Sequence, residues 1–228
     1  MLIVGHMRSG STLLLHLLMT SSEVISCGER NAVYRRPRDL DDLAVSAAIA
    51  QRRRFRGSRY AVDQVNHDHL TPDPRLLLAS RVRCIFLVRE PRAAIDSIIR
   101  LTTGFYEPWP LARAVDYYSR RLASMAAIAR MLHGHRPFLA LTYDQLIDET
   151  PGSLRRIESF LDLGNSLGEH YGLHGFTGSR GDPGEAIRSG RIQRHRRPVP
   201  SEMSARELER TVGAYSSCLE ALQHGRRY

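Results

Sequence analysis

Two rhythms of apolar positions run through this chain. Short runs at Leu2–Val4, Tyr60–Val65, Cys84–Val88 and 137–141 suit strands buried in a parallel sheet. Between them, longer stretches carry the helical period. Leu111, Val115, Tyr118, Leu122, Met125, Ala129 and Leu132 step by four and three, which places them on one face of an amphipathic helix. Leu208, Val212, Tyr215, Leu219 and Leu222 repeat the device, opened by Ser204 and Glu207 in capping-box spacing. Thr150 and Pro151 place a cap and a first-turn proline ahead of Leu154 to Leu161. Strands alternating with helices predict an α/β fold, a three-layer sandwich around a central parallel sheet.

The segment from Gly164 to Pro200 breaks both rhythms. It is rich in glycine, arginine and histidine, and it predicts a long loop or lid; loops of that length are usually functional or disordered. At 228 residues the chain fits one domain.

Chemistry enters where the first apolar run meets the first helix. Gly5-His6-Met7-Arg8-Ser9-Gly10-Ser11-Thr12 keeps the two-glycine spacing of a phosphate-binding loop, but Ser11 stands where a nucleotide triphosphatase has its lysine. Such a loop ends on a helix N-terminus, whose orphan N–H groups and dipole favour an anion. Ser11 and Thr12 add hydroxyls, and Arg8 adds a permanently charged fork. The anion cradle is kept while the lysine that reaches the end of ATP is gone. By itself the segment could equally be an ordinary glycine-serine turn.

Composition adds less. The formal net charge of +9 points to polyanionic ligands, and all 33 basic residues are arginine; base bias in the gene accounts for the missing lysine more simply than selection does. Cys27, Cys84 and Cys218 are too widely spaced for a zinc site or a disulfide framework. The apolar run from Leu13 to Met19 is short and interrupted by His16, so no membrane span is expected, and the chain reads as a cytoplasmic protein.

A second segment follows the strand Cys84–Val88. In Arg89-Glu90-Pro91-Arg92 the proline suits a first helical turn, which leaves Arg89 at the carboxyl end of a strand, where open α/β sheets bind ligands. Ser97 lies about two helical turns further on. Taken singly, Arg89 could as well be an ion-pair partner of Glu90 or Asp96.

Together, the two segments resemble the 5′-phosphosulfate loop and 3′-phosphate motif of sulfotransferases that use 3′-phosphoadenosine 5′-phosphosulfate (PAPS). Arg8-Ser9-Gly10-Ser11-Thr12 is similar to the first motif. Phe86-Leu87-Val88-Arg89-Glu90-Pro91-Arg92, with Ser97 eight residues after Arg89, is similar to the second. Cys27-Gly28-Glu29 resembles the segment that carries a catalytic glutamate in tyrosylprotein and carbohydrate sulfotransferases. Tyr143-Asp144-Gln145-Leu146 is similar to the segment that brings a tyrosine to the adenine. Ser189 to His195 resembles, more loosely, a late motif whose basic residues close over the donor, with His195 where tryptophan is common. A lysine that assists catalysis in some members corresponds here to Gln64.

The resemblance implies a fold like that of P-loop nucleotide hydrolases, PAPS as sulfate donor, adenosine 3′,5′-bisphosphate (PAP) as product and no metal. It implies donor contacts from Arg8, Ser9, Gly10, Ser11, Thr12, Leu13, Arg89, Ser97, Tyr143, Arg191 and Arg194. Arg8 would neutralise charge, Glu29 would be the base, and His67 and His69 would be the competing bases. Acceptor contacts are expected from Asn31 to Arg56, Thr102 to Pro110 and Gly164 to Pro200, with Phe105, Tyr106 and Trp109 either lining a pocket or packing on the core. The expected partner is a small-molecule hydroxyl acceptor, with no nucleic acid or membrane; a homodimer stays open. The alternatives are a kinase with a degenerate loop, disfavoured by the missing lysine, and a nucleic-acid-binding protein suggested by Arg52-Arg53-Arg54 and Arg194-His195-Arg196-Arg197. Neither arginine run is interleaved with aromatic residues that could stack on bases.

Overall fold

The computed structural model describes residues 1–52, 57–79, 81–178, 184–194 and 203–223. Five strands form one all-parallel sheet: β1 (Leu2–Val4), β2 (Val24–Ser26), β3 (Tyr60–Val65), β4 (Cys84–Val88) and β5 (Phe138–Thr142), in the order β2-β3-β1-β4-β5. Leu2 stands beside Asp63 on one side and Cys84 on the other, so the three-residue β1 lies at the centre. Being covered on both faces, β1 and β4 carry continuous apolar residues and are buried throughout.

Strand alternation divides the core in two. Leu2, Val4, Phe86 and Val88 face one cluster, shared with α4 (Pro91–Phe105), α5 (Leu111–Leu132) and α9 (Ala205–Gln223). Ile3, Ile85 and Leu87 face the other, shared with α1 (Ser11–Leu18), α6 (Tyr143–Asp148) and α7 (Thr150–Leu161). The three-layer α/β sandwich expected from the periodicity is therefore observed. The chain leaves β1 for α1 on one face and leaves β4 for α4 on the opposite face. The crevice of an open α/β sheet thus falls between the carboxyl ends of β1 and β4.

Several local expectations shift. The described part of the segment Asn31 to Arg56, expected to wall the acceptor site, holds α2 (Pro37–Ala50), whose Ala47 and Ala48 pack on Ile25 of β2. Thr150 does not cap α7: its hydroxyl donates to the carbonyls of Leu146 and Ile147 at 2.9 Å, joining α6 to α7. In the segment from Gly164 to Pro200, the described part contains a short helix, α8 (Glu185–Arg188), and a bridge between His170 and Arg191. On α9 the buried side is rotated from the face that was read. Thr211 and Cys218 are buried while Val212 is 44% exposed, because small residues let α9 lie close against α5. The Ser204–Glu207 capping box forms as expected, with the Glu207 carboxylate accepting from the Ser204 N–H at 2.9 Å and the Ser204 hydroxyl accepting from the Glu207 N–H at 3.3 Å. His195, Arg53, Arg54, Arg196 and Arg197 lie outside the described residues.

Candidate active site

The loop after β1 is shaped by what its glycines exclude. Gly10 caps α1 with φ 95°, and a Cβ there would sit 2.5 Å from the ring of Tyr143, so this position takes glycine for both conformation and space. A Cβ on Gly5 would stand 2.6 Å from Ser9 Oγ and 3.0 Å from Asn66 Oδ1. Arg8 is held at φ 63°, a left-handed conformation that costs a non-glycine residue about 1–3 kcal/mol and tends to persist at working sites. The N-terminus of α1 has no side-chain cap and no acidic residue in its first turn, which leaves its N–H groups and dipole to an anion.

The turn after β4 is pinned by its backbone. The Arg89 N–H donates to His6 Nε2 at 3.1 Å, and its carbonyl accepts from the Tyr118 hydroxyl at 2.7 Å. The other ring nitrogen of His6 donates to the Met7 carbonyl at 2.8 Å, so this ring is neutral; burial holds its pKa down at about 3. One buried imidazole thereby couples the two motif segments. Neither anticipated ion pair of Arg89 forms. Glu90 instead caps α4 through the N–H of Arg92, and Asp96 pairs with Arg100.

Arg89 lies over the face of Tyr143, 4.1 Å from the ring centroid, and Nη1 donates to the Arg8 carbonyl at 3.3 Å. Ser97 is reached by the other arginine: Arg8 Nε donates to its hydroxyl at 2.9 Å. The two segments read separately in the sequence are therefore in direct contact, with Arg8 bridging them.

These elements open on one cleft of about 640 Å³, within the ordinary range for small-molecule sites. Its lining brings together three arginines, Arg8, Arg89 and Arg191, with Gly10, Ser11, Thr12, Leu13 and Tyr143, and also Glu29, Asn31, Asn66, His67, Leu101, Thr102, Tyr106, Glu107 and Trp109. Of the three segments expected to contact an acceptor, the first supplies Asn31, the second supplies Thr102, Tyr106, Glu107 and Trp109, and the third supplies Tyr171, Ala186, Ile187, Arg191 and Gln193. Trp109 lines the cleft and also packs edge-on against Tyr117; Phe105 is 59% exposed. Ser9, Ser97 and Arg194 stand outside the lining: Ser9 is fully buried beneath the loop, Ser97 holds Arg8, and Arg194 bonds Glu169 at 2.8 Å and the Ile147 carbonyl at 3.3 Å.

Glu29 has no bond to the neighbouring Arg30. Its Oε1 accepts from Asn66 Nδ2 at 2.9 Å, and burial raises its pKa against the lowering effect of that bond. His67 lines the same cleft, stacked on His69 at 5.4 Å; burial, then the charges of His69 and Arg121, bring its pKa down to about 4. Gln64 is buried in β3, with the Thr12 hydroxyl 3.5 Å from its Oε1.

Three residues that the sequence reading passed over hold this geometry. Arg121, wholly buried, donates from Nε to the Gly5 carbonyl at 2.8 Å and from Nη2 to the Val65 carbonyl at 2.7 Å. The Tyr117 hydroxyl donates to the Asn66 carbonyl at 2.6 Å and accepts from the Met7 N–H at 2.8 Å. Asn66 carries Glu29. Arg121 had a signal, since it falls between Tyr118 and Met125 on the apolar stripe, where a charge requires an explanation.

Residues 80–165 match the model of the Sulfotransferase family, a stretch that includes Arg89, Ser97 and Tyr143 but not the loop after β1. The family resemblance read from the motifs is thus borne out. No curated protein sequence matches the chain. Among solved structures, the fold is similar to the sulfotransferase domain from the Synechococcus PCC 7002 olefin synthase, at TM-score 0.60 and 19% identity, covering 93% of this chain and 92% of that one. It is also similar to the sulfotransferase domain from the curacin biosynthetic pathway, at TM-score 0.62 and 17% identity, covering 95% and 97%.

Proposed function

We propose that this chain transfers a sulfuryl group from PAPS to a hydroxyl of a small-molecule acceptor. The observation that carries the reading is the pairing of charges in this cleft. An uncapped helix N-terminus with Arg8 and Arg89, and a half-buried carboxylate, Glu29, line the same cavity. The lining fits the donor: Gly10 lets the Tyr143 ring pack directly against the loop, and Tyr143 presents an aromatic surface already stacked with Arg89. Arg8, Gly10, Ser11, Thr12 and Leu13 would hold the 5′ end, Arg89 the 3′-phosphate, Tyr143 the adenine, and Arg191 would close over it.

When bound, PAPS supplies the sulfuryl group and a 5′-phosphate that leaves with negative charge. Arg8 and the α1 N–H groups stabilise that charge; arginine stays protonated, so Arg8 acts electrostatically rather than as an acid. Glu29 takes the acceptor's proton. Its burial raises its basicity above that of an exposed carboxylate, a general-base contribution of about 10²–10⁴ in rate. His67 with a pKa near 4 is neutral at pH 7 but is held no more basic than an ordinary carboxylate.

The test is twofold. PAP should raise the melting temperature, since ligand at ~100 Kd adds about 2.7 kcal/mol, while ATP with magnesium and an oligonucleotide should not. Radiolabelled sulfate should move from PAPS to a phenolic acceptor in excess chelator, with Arg8→Ala slower by roughly 10²–10³. Stabilisation by ATP with magnesium, accompanied by ATP turnover, would instead favour a kinase.

A further inference from the structure

Asn66 is the first residue beyond β3, and its polar atoms face the machinery from three sides. Nδ2 donates to Glu29 Oε1 at 2.9 Å. The backbone carbonyl accepts from the Tyr117 hydroxyl, whose oxygen in turn accepts the N–H of Met7 in the phosphate loop. Its Oδ1 is buried without a hydrogen-bond partner, as is the hydroxyl of Ser9. Both atoms crowd the same point above Gly5. A carboxylate can only accept, so the bond to Glu29 fixes which end of the amide faces it and turns Oδ1 toward Gly5. Ser9, a rotatable hydroxyl buried at the base of the anion loop, is the donor type that Oδ1 lacks.

We infer that Asn66 is a positioning residue that joins Glu29 to the phosphate loop, holding the base in register with the anion site through its side-chain amide and, by way of Tyr117, its backbone. This rests on the reading of Glu29 as the base. The wiring has a physical purpose: proton removal and charge stabilisation must occur on one reacting group, and a misplacement of about 1 Å between them costs on the order of 10² in rate. An N–H donated to a carboxylate also favours its charged form, and here it opposes the burial that raises Glu29. The other ionisable groups around it are Asp63, which accepts from the Arg30 N–H and raises Glu29 further, His67 beside Asn66, Tyr117 of α5, and Arg8 and Glu107 in the cleft lining.

The experiment compares Asn66→Ala and Asn66→Asp with the wild-type protein. Asn66→Asp keeps the side-chain shape but sets a like charge against Glu29, so it serves if the alanine variant fails to fold. Carboxyl titration of ¹³C-glutamate-labelled protein without donor, assigned with Glu29→Gln, reads the carboxylate directly; pH–rate profiles and PAP binding read the consequence. In both variants Glu29 should titrate at higher pH than in the wild type, with the acidic limb of kcat moving alongside it. In Asn66→Ala, kcat should fall by about 10² while PAP affinity changes less than about twofold. An unmoved Glu29 titration, or kcat within about twofold of wild type, would overturn the inference. Full kcat in Glu29→Gln would remove the base assignment itself and the positioning role with it. That outcome is distinct from a Glu29 that is essential but indifferent to Asn66.

Discussion

Arg121 has no exposed side-chain surface and yet carries a charge into the core. The guanidinium is tolerated because its donors are taken up by the carbonyls of Gly5 and Val65 at the ends of two adjacent strands, with Asp68 Oδ1 and Thr71 Oγ1 at 3.4 Å. Its effect is to fix the carboxyl ends of β1 and β3, from which the glycine loop and Asn66 depart. In Arg121→Leu the Gly5 carbonyl loses this donor, and the expected loss is roughly 2–4 kcal/mol. Urea denaturation should show a lower midpoint at unchanged slope. PAP affinity should fall as well, because the first residue of the loop is no longer held.

At the scale of elements, α5 and α9 separate what periodicity can and cannot tell. The stripe from Val115 to Leu132 was legible because long apolar side chains recur on one face, and each of its members from Val115 onward is buried. On α9 the same counting chose Val212 and passed over Thr211 and Cys218, since close helix packing selects small residues that a hydrophobicity pattern undervalues. The consequence can be measured. Val212→Ser should alter stability by no more than ~0.5 kcal/mol. Cys218→Leu should overpack the α5 contact and cost about 1–3 kcal/mol. Thermal unfolding of the two variants gives the order, and equal losses would return the face to the one read from the pattern.

For the whole molecule, the sheet's two halves are locked at the site by a histidine that must remain neutral. The His6 pKa of about 3, against an ordinary 6.5, means that the folded state resists a proton which the unfolded chain accepts. Stability from this group is complete above pH 6.5 and falls as pH drops toward 3, by at most ~1.4 kcal/mol per unit. His67, lowered to about 4, acts in the same sense, while Glu29 and Asp63, raised by burial, act in the opposite one. A difference measurement isolates His6. His6→Gln should be less stable than the wild type at pH 7, and the gap should narrow as the pH is lowered to 4, when both are followed by chemical denaturation.

How much was readable divides along the same physical line. Four of the five strands, the long helices, the parallel sheet, the glycine loop and the Arg89 turn follow from local pattern, because side-chain period and glycine or proline backbone preferences act over a few residues; β2, only three residues long, and α2 did not stand out. Which residues meet does not. Nothing in the spacing showed that Ser97 would receive Arg8, that Glu29 would answer to Asn66 instead of Arg30, or that His6, Tyr117 and Arg121 would hold the cleft. By itself, the sequence determined four of the five strands, the long amphipathic helices and a run of residue types able to hold an anion. The tertiary structure alone decided their partners, since burial, the satisfaction of buried polar groups and the crossing of the chain between β1 and β4 are properties of the assembled sheet.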